Sequence, residues 1–104
     1  MIVEYIRYKI PLSDSAAFEQ DYAKAAKSLD SCDHCLAYEL SRCVDEPSSY
    51  VLRIEWDSVE GHMQGFRGSE SFRSFFAAIK PYLDRIEEMR HYQQTAVMAV
   101  KLHE

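Results

Sequence analysis

Hydrophobic and polar positions alternate with period two over residues 2–10. Ile2, Ile6, Tyr8 and Ile10 fall on one face, and Val3, Tyr5, Arg7 and Lys9 on the other, which is the pattern of a β-strand. Pro11 closes that run, and Ser13 or Asp14 supplies a cap for a helix over 15–30. There Phe18, Tyr22, Ala25, Ala26 and Leu29 recur at helical spacing with charges opposite. Period two returns at 36–44, with Leu36, Tyr38 and Leu40 alternating with Ala37, Glu39 and Ser41. It returns again at 49–57, with Tyr50, Leu52, Ile54 and Trp56 in phase; Asp45-Glu46-Pro47-Ser48 turns the chain between the two strands. Asp57 with Glu60 resembles a capping box for a short helix over 58–66. Gly65 and Gly68 then break the chain around Arg67, and Ser69 caps a longer helix carrying Phe72, Phe75, Phe76 and Ile79. Pro81 predicts a kink, because it lacks an N–H and clashes with the preceding turn. A helical piece with Leu83, Ile86 and Met89 is expected after it, and then a last strand over 92–101.

The resulting order, β-α-β-β-α-β, is the ferredoxin-like α+β arrangement, with two helices covering one face of a four-stranded antiparallel sheet. Residues 96–100 are apolar at odd and even positions alike, so the last strand is expected to be buried on both sides. A second copy of the sheet is the simplest cover. A homodimer follows as an expectation, with the two sheets facing each other as a dimeric α+β barrel.

Length and charge narrow the classes. The 104 residues, 47% hydrophobic and 28% charged, suit a single folded domain over 1–104. A net charge of −5, with no basic run longer than two residues, lacks the footprint of a nucleic-acid binder or a polybasic membrane patch. No run approaches the roughly 20 apolar residues of a membrane span. The start of the chain lacks the basic and apolar regions of a signal peptide, so a cytoplasmic location is expected. Cys32, Cys35 and Cys43 cannot close a complete disulfide framework. Cys32-Asp-His-Cys35 follows a helix instead of opening one, the wrong end for an activated thiolate, and no second ligand pair completes a zinc site.

Three stretches carry a resemblance: Cys35-Leu-Ala-Tyr-Glu-Leu, then Tyr50-Val-Leu-Arg-Ile-Glu-Trp56, and, after a short helix, Ser69-x-x-Phe72. The chain resembles the antibiotic biosynthesis monooxygenase family of small dimeric α+β barrels. The block Ile54-Glu-Trp-Asp-Ser58, with Glu60-Gly-His62 and Gly65-Phe-Arg67, is similar to a subgroup that also occurs attached to globin domains. The resemblance implies a pocket between sheet and helices, and oxygenation of a small or polycyclic aromatic (quinol-like) substrate by O2 without metal, flavin or other cofactor. The family's widespread histidine, three residues before the Ser of Ser-x-x-Phe, is Phe66 here. Haem-degrading relatives carry an Asn on the first strand and a His four residues after that Phe. The first strand here has no Asn, and Phe76 stands at the second position.

Cofactor-free oxygenation needs an apolar cavity, a group that takes a proton from the substrate, and exclusion of water. His62 on the short helix and His91 at the start of the last strand are the candidate catalytic residues, since imidazole titrates near neutral pH. His34 and His103 are expected in solvent. Trp56, Phe66, Phe72 and Phe76 are candidate walls for an aromatic substrate. Tyr38, one of the strand phenols with Tyr5 and Tyr92, is a candidate donor to a substrate oxygen. Arg53 and Glu55 share the other face of their strand and are expected to stitch a sheet interface. Two other readings stand beside the enzyme: a non-catalytic ligand-binding or sensor dimer, and a partner domain of a globin or redox protein.

Overall fold

A computed structural model describes residues 1–101, and the order of elements follows the hydrophobic pattern for the first three-quarters of the chain. β1 (Ile2–Lys9) leads into α1 (Ser15–Asp30), then β2 (Cys35–Arg42) and β3 (Ser49–Trp56). A short π-type helix (Gly61–Phe66) precedes α2 (Glu70–Ile79), a 3-10 segment (Lys80–Arg85) and β4 (Ile86–Gln93). The sheet is antiparallel with strand order β2-β3-β1-β4. Both helices lie on one face, which makes this a ferredoxin-like α+β fold.

Register explains where the core sits. Facing pairs of β1 and β3 are Ile2 with Trp56, Glu4 with Ile54, Ile6 with Leu52, and Tyr8 with Tyr50. The side chains of these pairs stand toward the helices, where Phe18, Tyr22, Ala25 and Leu29 of α1 and Phe75 and Ile79 of α2 close over them. Tyr8 and Tyr22 are buried and bond to each other through their hydroxyls. On the opposite face Arg53 Nη1 donates to Glu55 Oε2 at 2.6 Å and its Nε donates to the Tyr5 hydroxyl.

Two β-bulges adjust the edges. On β2 the register shifts between Cys35 and Ala37, so Leu36 is left exposed while Cys35 faces Trp56. On β4 the shift falls opposite Arg7 and Tyr8: Ile86 faces Tyr8, Glu88 faces Arg7, and Glu87 is the extra residue. An extra residue reverses the alternation beyond it. Ile86, Met89 and His91, opposite Tyr8, Ile6 and Glu4, therefore stand on the same helix-facing side.

This overturns the expected C-terminal part. Ile86 and Met89 belong to β4 and not to a helix, and the last strand is Ile86–Gln93 instead of 92–101. The physical reason is the length of β1: its first strand residue, Ile2, is already paired with Gln93, and beyond that only Gln94 N–H reaches back, to the Met1 carbonyl at 3.0 Å. Residues 96–100 pair with no strand of this chain, and Val97 and Val100 are 92% and 86% exposed within it. His91 accordingly lies near the end of the last strand and not at its beginning. α2 stops at Ile79 and the Pro81 kink becomes the 3-10 segment. Among the described residues no helix is long and apolar enough to cross a membrane. His103 lies outside the described residues.

Candidate functional site

Glu4 is the residue that organises the site, and it comes from the most hydrophobic phase of β1. It sits between Ile2 and Ile6 on the helix-facing side, only 2% exposed. Its oxygen Oε1 accepts from Trp56 Nε1–H at 3.1 Å, and the imidazole Nε2 of His62 lies 3.5 Å from the same atom. The second oxygen, Oε2, has no hydrogen-bond partner among the described residues.

His62 is brought there by the turn after β3. Ser58 opens it: Ser58 Oγ accepts from Gly61 N–H at 2.8 Å, so Ser58 holds the start of this turn where Asp57 was expected to. Asp57 instead receives Nδ1 of His34 at 2.8 Å, which pulls His34 across the turn and out of the purely solvated role expected for it. The His34 ring packs where side chains on Gly61 and Gly65 would have to go: a Cβ on Gly65 would stand 2.3 Å from His34 Cδ2. The wide turn that follows (Arg67 N–H to the His62 carbonyl, 3.1 Å) aims the His62 ring inward, 3% exposed. There it stacks on Trp56, centroids 4.3 Å apart and planes 16° from parallel. Its Nδ1 is 2.6 Å from Nε2 of His91, which is exposed at its outer edge.

The tautomers follow from the partners. The indole can only donate, so Glu4 Oε1 accepts. His62 Nε2 faces that carboxylate oxygen and is best placed carrying the hydrogen, which leaves Nδ1 as acceptor for a hydrogen on His91 Nε2. Electrostatics agree with neutral imidazoles. Burial, with help from His91 and Arg67, pulls His62 down from the ordinary histidine value to about 4. Partial desolvation and Arg67 also lower His91. Burial raises the Glu4 carboxyl, against the opposing effects of the Trp56 bond and Arg67.

Beside this polar corner lies a cavity of about 190 Å³ between the sheet and α2. Glu4, Ile54, Trp56 and His62 form its inner end; Phe66, Phe72 and Phe75 form its helical wall. Phe76, Leu83 and Met89, each more than a third exposed, rim its mouth. The structure thus gathers Trp56, Phe66, Phe72, Phe76 and His62 around one space, with His91 behind His62. Tyr38 is not among them. It lies on the edge strand β2, its hydroxyl donating to Asp30 Oδ1 at 2.7 Å, next to a separate groove formed with α1. Its neighbour across the β2–β3 ladder, Ile54, lines the cavity, but the Tyr38 hydroxyl is turned to Asp30, so the structure does not bring this candidate donor to the site.

Two residues of the site are absent from the sequence-based candidates. Glu4 had a visible signal, a carboxylate in phase with Ile2, Ile6 and Tyr8. Arg67, which also lines the cavity, had none.

Glu4, His62 and His91 each offer a ligand atom within 4.8 Å of the others, a donor set that suits a divalent transition metal. The distances fit it less well. Two imidazole nitrogens on one tetrahedral metal, each at roughly 2.0–2.1 Å from it, sit more than 3 Å apart, whereas these are 2.6 Å apart. Instead the two imidazoles are hydrogen-bonded to each other, with the Glu4 carboxylate 3.5 Å beyond His62. The cysteines are a separate matter: all three are free thiols, and burial beside Cys32 pushes Cys35 up to about 11, the opposite of an activated thiolate.

Known proteins share this architecture. The family model described as antibiotic biosynthesis monooxygenase matches residues 1–78. An uncharacterized Bacillus subtilis protein, YczJ, is 29% identical over 76 residues, covering 73% of this chain and 80% of its own. A Bordetella bronchiseptica structure assigned to the antibiotic biosynthesis monooxygenases superposes with a TM-score of 0.74 at 25% identity, covering 90% of this chain and 96% of that one. A variant of SnoaB, a cofactor-independent oxygenase from Streptomyces nogalater, superposes with a TM-score of 0.71 at 18% identity, covering 95% of each chain.

Proposed function

Because this chain belongs to the antibiotic biosynthesis monooxygenase family, we propose that its cavity binds a hydroxylated, electron-rich aromatic molecule and oxygenates it with O2, without a bound cofactor. The observation that carries this reading is the apolar space of about 190 Å³ whose inner end holds a buried carboxylate and imidazole. A dry cavity of about 150 Å³ accommodates benzene, so this one suits one ring or two fused rings. A tetracyclic substrate would require the mouth at Phe76, Leu83 and Met89 to open.

The chemistry asked of the protein is modest. The substrate hydroxyl, turned toward the polar corner, gives up its proton and becomes an electron-rich anion. A ring carbon then delivers an electron pair to O2 and forms a C–O bond. Loss of the hydrogen on that carbon with cleavage of the O–O bond leaves a carbonyl, and the other oxygen departs as water. One atom of O2 enters the product; the ring is oxidised and the dioxygen reduced. Trp56, Phe66 and Phe72 hold the ring in place and keep out water that would solvate the anion. A homodimer through the open sheet face is part of the same reading.

Trp56 is the single tryptophan, so its fluorescence reports on the cavity directly. Titration with phenol, 1-naphthol and a three-ring anthrol should quench it most tightly with the two-ring compound, and an oxygen electrode should register uptake with the same preference. Quenching without uptake by any compound would make the chain a binding module; neither effect would remove the cavity as a ligand site.

A further inference from the structure

We infer that Glu4 is the residue that takes the substrate's proton, and that His62 and His91 form the line joining its carboxylate to solvent. This assignment deepens the oxygenation reading and rests on it for the nature of the ligand.

Few acceptor atoms at the polar corner are free. Both nitrogens of His62 are engaged, Nδ1 with His91 at 2.6 Å and Nε2 toward Glu4 at 3.5 Å, and its ring face is covered by Trp56. His62, the evident base by residue type, therefore has no lone pair to present to a ligand. Glu4 has one: Oε1 is taken by the Trp56 indole, while Oε2 is unpartnered on a residue that lines the cavity. The other ionisable groups around the space are Tyr8, which bonds to Tyr22, and Arg67, a cation that cannot accept.

The three residues also run from inside to outside. Glu4 and His62 are 2% and 3% exposed, and His91 is exposed. With the hydrogens on Nε2 of both rings the line runs inward, each imidazole taking a proton on its outer nitrogen as it gives one up from its inner nitrogen. Returning the substrate's proton from Glu4 to water uses the opposite tautomers, with His62 Nε2 and His91 Nε2 as acceptors, and does not open the cavity. The 3.5 Å step is the long one, of the kind that shortens when a ligand is bound. On proton transfer the substrate O–H bond breaks and an O–H bond forms at Glu4 Oε2; nothing else changes until O2 reacts. Glu4 is thus a catalytic residue, and His62 and His91 are positioning and relay residues that act through it.

4-Nitrophenol, whose anion is yellow, tests the first part without any oxygenation. At a pH where the free probe is mostly protonated, the wild-type protein should bind it as the yellow anion and release no proton to the medium. Glu4→Gln keeps the Trp56 acceptor and should bind the probe colourless. A colourless wild-type complex, or a yellow one in Glu4→Gln, overturns the assignment. Failure of the wild type to bind the probe would remove the cavity reading and this inference with it. For the line to solvent, His91→Gly should lower oxygen uptake with 1-naphthol at least roughly 10-fold in kcat with KM little changed, a loss at or below the usual range for a positioned proton-transfer group. Added imidazole should restore that rate, and it should not restore Glu4→Gln. An undiminished rate in His91→Gly, or one that imidazole leaves low, overturns the relay. If the colour test succeeds while the wild type consumes no oxygen, the proton acceptor stands and the oxygenase reading falls.

Discussion

The neutral, buried state of His62 should be visible in the protein's stability against acid. His62 is 3% exposed and its pKa falls from 6.5 to about 4, chiefly because burial penalises the imidazolium, with His91 and Arg67 adding to the penalty. The unfolded chain takes up this proton near the ordinary value, while the folded chain resists it until about pH 4. Between those limits the unfolded state binds more protons, so stability falls as pH falls. Above about pH 6.5 the contribution is flat. A tenfold weaker hold on a proton is worth about 1.4 kcal/mol, and the separation between the folded and ordinary values implies a loss of at most roughly 3 kcal/mol across the window. Glu4 works the other way: its carboxyl is raised by burial, so its neutral form is favoured in the fold and acid relieves part of the cost. The His62 share is isolated by comparison with His62→Gln. Urea unfolding of both proteins at pH 7.5, 6.5, 5.5 and 4.5, at one protein concentration, should show the wild type losing the larger amount between 6.5 and 4.5. Parallel curves, or a steeper fall in His62→Gln, would refute a buried neutral imidazole.

Other consequences can be checked independently. Phe66→Ala removes a 2% exposed ring packed against Trp56, Phe72 and Phe75; it should cost about 3–5 kcal/mol in chemical denaturation and shift the quenching preference toward the three-ring anthrol. Tyr22→Phe strands the buried Tyr8 hydroxyl and should destabilise by roughly 1–3 kcal/mol, with the Tyr8→Phe/Tyr22→Phe pair closer to wild type than the two single losses added. Sedimentation should find a dimer at micromolar concentration; a stable monomer would end the expected association through the sheets.

Most of the architecture was legible because its patterns are unambiguous. Period two in 2–10 and 49–57, and the run Phe18, Tyr22, Ala25, Leu29, each have one physical interpretation, and Ser69 does cap α2, its hydroxyl accepting from Phe72 N–H. The last strand was not legible, for a local reason. Leu83, Ile86 and Met89 are spaced by three, which reads as a helix, yet the bulge at Glu87 places Ile86 and Met89 on one side of a strand. With β4 displaced, the phase of His91 could not be read, so its meeting with His62 was invisible. The walls of the cavity were visible as an aromatic stripe at helical spacing. Its key carboxylate was not recognised, because a single acidic residue in a core phase says nothing of its partners until β1 and β3 are in register. Tyr38 shows the converse: its phase is that of the core and it faces Ile54 of the cavity wall, but on the edge strand its hydroxyl finds Asp30, a partner no strand pattern announces.

Whether this cavity directs dioxygen onto a hydroxylated aromatic ring can be followed through the oxygen atom itself. The purified protein is incubated with 1-naphthol under 18O2 and the product weighed by mass spectrometry. A naphthoquinone carrying a single 18O atom is expected, formed at a rate that falls sharply in Glu4→Gln. A product whose added oxygen comes from water, or no consumption of 1-naphthol beyond the protein-free control, would contradict the oxygenase reading.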